Sequence, residues 1–161
     1  MTVALSDPAQ VIFGCLEDLR GGLSGLQDDE IVRALRRIEE LSRRTHSVLL
    51  DVVAEAEARG IAGRTGFGTT PRMLSAMLRI SAAEARTRVE HAALVGSRRA
   101  MTGQVLEPTL PATAAALAAG QIGTGQLKVI TETIILMPAS MPASMPEPLR
   151  ERLEADLALG R

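Results

Sequence analysis

The chain has 161 residues, a formal net charge of −1 and 46% hydrophobic residues, enough for one domain with a real core and too apolar for a disordered segment. Phe13 and Phe67 are its only aromatics, so Leu, Ile, Val, Met and Ala must build the core, and a base-stacking single-strand binder is excluded. Cys15 is the only cysteine, which excludes an intrachain disulfide and a cysteine metal site.

The first residues, MTVALSDPAQ, show no basic stretch followed by an apolar run, and no uninterrupted apolar stretch reaches membrane-spanning length. A cytoplasmic protein without membrane contact is expected. Asp7 and Pro8 predict a helix over about 8–20, with Val11, Ile12, Leu16 and Leu19 as its apolar stripe. GGLSG at 21–25 reads as a flexible turn. A long helix follows from Asp28, with three acids on its first turn, to Arg59, with Gly60 as the stop. Ile31, Leu35, Ile38, Leu41, Val48, Val52 and Ala56 recur along it at spacings of three, four and seven. At about 1.5 Å per residue the helix spans nearly 50 Å, enough for a bundle spine, a homodimer seam, or both.

Residues 61–70 read as a Gly-rich loop. Thr70 and Pro71 then open a short helix ending near Leu78, and Ser81 with Glu84 forms an S-x-x-E capping box that starts another. A second short helix stops at Gly120 and a new one starts near Thr124. Each pair reads as helix–turn–helix, an arrangement that places a helix in a DNA groove and also a common way to pack small helical domains. MPASMPASMPEP at 137–148 reads as a semi-rigid linker, and a last helix begins near Glu147 with Leu149, Leu153 and Leu157. The expected organisation is an N-terminal helix and turn (1–25), a helical core (26–136), the proline-rich linker (137–148) and a C-terminal helix (149–161).

His46 and His91 stand 45 residues apart with no metal-ligand spacing, and no catalytic or phosphate-binding motif occurs, so no catalytic residue, metal or cofactor is expected. Charge is uneven: seven arginines lie between Arg64 and Arg99 against Glu84 and Glu90, a local balance of +5. Arg72, Arg79, Arg86 and Arg88 fall on the first helix–turn–helix, and Lys128 is the only cation on the second helix of the other. These five are the candidate DNA contacts, because a recognition helix offers its first half to base edges and arginine suits phosphate and guanine. A composition bias toward Ala and Arg, and an i,i+4 pairing of Arg86 with Glu90, are the competing explanations.

The order EAEARG, then T-x-x-x-L-x-x-x-L-R-I-S-x-x-E-A-x-x-R-V, then L-P-A-T-x-x-A-L-A-x-G-x-I resembles the domain of unknown function 222 family, which includes the 13E12 repeat proteins of actinobacteria. The matching positions are 55–60, Leu74, 78–81, Glu84, Ala85, Arg88, Val89, 110–113, 116–118, Gly120 and Ile122. The resemblance implies a helical, DNA-associated region of the kind that precedes an HNH nuclease module. This sequence shows no such module, and its proline repeat replaces a more ordinary connection. It therefore reads as a truncated copy, and no catalytic residue of the family carries over. The expected protein is all-α: a long helix followed by a multi-helix bundle with one or two helix–turn–helix units. It is expected to bind duplex DNA without catalysis. The alternatives are a protein-interaction module that forms a homodimer through the long helix, or a decayed remnant of a mobile-element protein.

Overall fold

The computed structural model describes residues 6–99, 102–136 and 147–159. The all-α expectation holds: helices α1 (Ser6–Gly22), α2 (Asp28–Ala58), α3 (Ile61–Arg64), α4 (Thr70–Leu78), α5 (Ala82–Val95), α6 (Pro111–Ala118), α7 (Thr124–Leu136) and α8 (Glu147–Leu159) dominate. A 3-10 turn at Leu23–Gly25 follows α1. Between α5 and α6 lies an unanticipated two-stranded antiparallel ribbon, β1 (Arg98–Arg99) with β2 (Val105–Leu106), pairing Arg98 with Leu106 and Arg99 with Val105. Among the described residues no helix is long and apolar enough to cross a membrane. Most of the proline repeat, residues 137–146, lies outside the described residues, and α8 begins at the expected Glu147.

The chain divides into two units within α2, Met1–Glu39 and Glu40–Arg161. The first is a helical hairpin of α1 and the start of α2. Helix α1 runs through the expected cap Asp7 and through Gly21 and Gly22, so the turn is shorter than the glycines suggested. Gln27 N–H donates to Glu30 Oε2 at 2.8 Å, closing the first turn of α2. Leu16, Leu19 and Leu23 face Ile31, Leu35 and Ile38 across an apolar groove of about 450 Å³. No described residue of this unit is buried.

The second unit holds the core. Leu50 and Val53 of α2 meet Met73 and Leu74 of α4, Ala85, Ala92 and Val95 of α5, Leu117 of α6, Leu127 and Ile130 of α7 and Ala158 of α8. Small side chains let the helices approach closely. Gly96, just after α5, lies so near α2 that a Cβ there would stand 2.8 Å from Ala54 Cβ. Gly120 takes φ +72 in the turn before α7, and a Cβ on it would meet Glu40 Cγ at 2.9 Å. The same turn is gripped by Arg43, whose guanidinium donates to Gly120 O at 3.4 Å and Gln121 O at 3.1 Å. Asp51 Oδ1 accepts from Ser97 N–H and Oγ–H, each at 2.8 Å. Buried Glu154 of α8 accepts from Thr113 N–H at 2.8 Å, placing a carboxylate at the N-terminal end of α6, which lacks a side-chain cap of its own.

The long helix ends at Ala58, one residue short of the expected Arg59, with the expected stop Gly60 left-handed at φ 59. Its regular apolar stripe is only partly packed, with Ala56 against the core. Leu35, Ile38, Leu41, Val48 and Val52 are exposed, and Leu50 and Val53 are the buried pair. The core takes Leu50, Val53, Ala54 and Ala56 from α2, and of these only Ala56 belongs to the more regular stripe.

Candidate nucleic-acid interface

Helix α4 begins one residue earlier than expected. Thr69 takes the N-cap position, Thr70 is buried in the first turn, and Pro71 occupies that turn without cost to the ladder. Thr70, Met73 and Leu74 face the core, while Arg72, Met77 and Leu78 face solvent. The helix ends on Arg79, which is left-handed at φ 55, a conformation that glycine adopts without strain. Ser75 Oγ–H donates to Ile80 O at 2.8 Å across the turn, and half-buried Ile80 packs on the core. Ser81 then caps α5, its Oγ accepting from Glu84 N–H at 3.1 Å. The capping box is half formed, because the Glu84 carboxylate turns instead to Arg88 Nη2 at 2.5 Å. Nine helical residues, a three-residue turn and fourteen more helical residues make up this frame.

The five candidate cations divide by partner. Arg72, Arg79 and Arg86 are exposed and have no carboxylate partner among the described residues. Arg86 does not pair with Glu90; its Nε donates to Ala82 O at 3.3 Å, one turn back on α5. The ion pair on α5 is Glu84–Arg88, and the Arg88 side chain is only 21% exposed. Lys128 lies on α7, 3.8 Å from Glu132. The exposed residues of α5 are Ala82, Ala83, Glu84, Arg86, Glu90 and Ala93, one cation and two acids set among alanines.

The structure also joins the two histidines. His91 of α5 senses the charge of His46 of α2, although 45 residues separate them. His46 Nε2 is buried without a hydrogen-bond partner. His91 Nε2 lies 3.4 Å from Thr131 Oγ1 of α7, whose own proton goes to Lys128 O at 2.9 Å, so the imidazole is the donor. Both pKa values fall below 6.5. Burial is the main cause for each; Arg88 adds to it at His46, and His46 adds to it at His91. Glu84 opposes the shift at His46, Glu90 and Glu132 oppose it at His91, and Lys128 reinforces it there. Among the described residues no group of three or more His, Cys, Asp or Glu side chains is placed to hold a metal. Sequence spacing hid this pairing. Its one local signal was the position of His46, one turn before Leu50 on the inner face of α2.

The sequence pattern of the domain of unknown function DUF222 matches residues 32–158. A Mycobacterium tuberculosis protein recorded as uncharacterised is 34% identical over 133 residues, which cover 80% of this chain and 27% of that protein. A second from the same species is 39% identical over 105 residues, covering 65% of this chain and 47% of the relative. An uncharacterised Mycobacterium bovis protein is 38% identical over 105 residues with the same two shares. The chain thus spans between about a quarter and a half of the length of these relatives. No solved structure matches. With the pattern covering most of the sequence, in the order of helices described above, the protein belongs to the DUF222 family.

Proposed function

We propose that this protein is a non-catalytic helical module that binds duplex DNA through α4, the 79–81 turn and α5. The observation that carries the reading is Arg79. It is the only non-glycine residue with positive φ among the described residues, it is exposed, and it sits at the corner of a helix–turn–helix frame. Backbone strain of this kind clusters at functional sites. Arg72 on α4 and Arg86 on α5 add two cations without carboxylate partners, and Ala83 and Ala93 keep the outer face of α5 low enough to enter a groove. Arg88 and Lys128 contribute less, since each already has a carboxylate neighbour.

The test is fluorescence anisotropy of labelled mixed-sequence duplex across a salt series. Affinity should fall linearly in log–log, and the Arg72→Ala/Arg79→Ala/Arg86→Ala variant should reduce the slope by about 2–3. An unchanged slope in a variant of normal helicity would reject the reading.

A further inference from the structure

The hairpin of α1 and α2 is an incomplete core. At about 100° per residue, Ile12, Phe13, Leu16 and Leu19 fall within about 120° of the α1 circumference, and Ile31, Ala34, Leu35 and Ile38 within about 100° of the α2 circumference. Six of these eight line the groove or its floor, yet Ile12, Phe13, Leu35 and Ile38 remain 39–66% exposed. Two helices of this length cannot enclose a core between them. The groove holds one charged lining residue, Arg20, and its guanidinium is turned onto Glu17 at 3.1 Å. The Asp29–Arg33 pair at 2.6 Å is well exposed. Nothing in the groove recruits phosphate or a charged peptide, so its occupant is apolar.

We infer that the occupant is the same hairpin of a second copy, the two closing around a two-fold axis into a four-helix bundle. The area fits. The exposed parts of Ile12, Phe13, Leu23, Leu35 and Ile38 come to roughly 450 Å², close to the ~520 Å² of apolar surface in one face of a standard homodimer interface. Two-fold pairing covers both grooves at once and closes the assembly at two copies. Four antiparallel amphipathic helices are also a closed packing solution in their own right. The α1 side of the groove and Ile31 lie outside the matched family pattern, while Ala34, Leu35 and Ile38 lie within it. The inference does not rest on DNA binding, and its test uses no DNA.

Light scattering on the full chain should give twice the 17.1 kDa monomer mass. Cys15, exposed on α1 and the only cysteine, allows a nitroxide label without mutation. Helices about 25 Å long hold two such labels within roughly 50 Å of each other, so a dipolar coupling between copies should appear. Leu35→Glu should weaken association roughly a hundredfold or more, because each dimer carries the change twice, and Phe13→Ser should weaken it in the same direction. Met77→Glu, equally exposed but on α4, should leave the dimer intact. A wild-type monomer, a dimer without label coupling, or a Leu35→Glu variant that associates normally would each overturn the inference.

Discussion

Arg79 holds a backbone conformation that costs an L-residue about 1–2 kcal/mol and costs glycine nothing. Arg79→Gly relieves that strain and removes the charge together. We expect stability to denaturant to hold or rise by up to about 1 kcal/mol while DNA affinity falls, so the two readouts move in opposite directions. Loss of both would mean that the side chain is structural. The histidines carry a second residue-scale consequence. Their folded pKa values lie below 6.5, so the folded state resists protonation that the unfolded state accepts. Their contribution is fully present above about pH 6.5 and is lost as the pH falls through the folded values. Stability should therefore decline on acidification below pH 6.5, before most carboxylates titrate, and His46→Gln should flatten that decline. An equal slope in wild type and variant, from urea titrations at several pH values, would refute the lowered His46 pKa.

At the scale of elements, α2 carries more apolar surface than the second unit packs. Ile31, Leu35, Ile38, Leu41, Val48 and Val52 make the more regular stripe, yet the second unit packs on Leu50 and Val53. A helix with two apolar faces states that it has partners, not which face meets which partner. Leu50→Ala should cost about 2–5 kcal/mol, and Val48→Ala should stay within about 0.5 kcal/mol of wild type. Chemical denaturation of the two variants separates the faces directly, and equal costs would reject the observed packing. The capping signals behaved differently. Ser81 caps α5 and Gly60 follows the end of α2 as read from sequence, because each acts on backbone groups within one turn of itself. Helix α6 lacked a readable cap because its N-terminal end is served by Glu154, 41 residues away on α8.

For the whole molecule, composition and local punctuation determined that the chain is all-α, where most helices begin and end, which arginines stand on the α4–α5 frame, and the family to which it belongs. These are short-range facts: propensity, capping and left-handed glycines are settled within about four residues along the chain. The tertiary structure alone decided which face of α2 is buried, that His91 lies within range of the His46 charge, that Arg43 grips the turn at Gly120, that Arg86 keeps no carboxylate partner while Arg88 has one, and that the N-terminal hairpin leaves its apolar groove open. Each of these depends on which helices pack together. That choice is made by the summed burial of Leu, Val and Ala side chains across elements distant in sequence, and no local spacing encodes it.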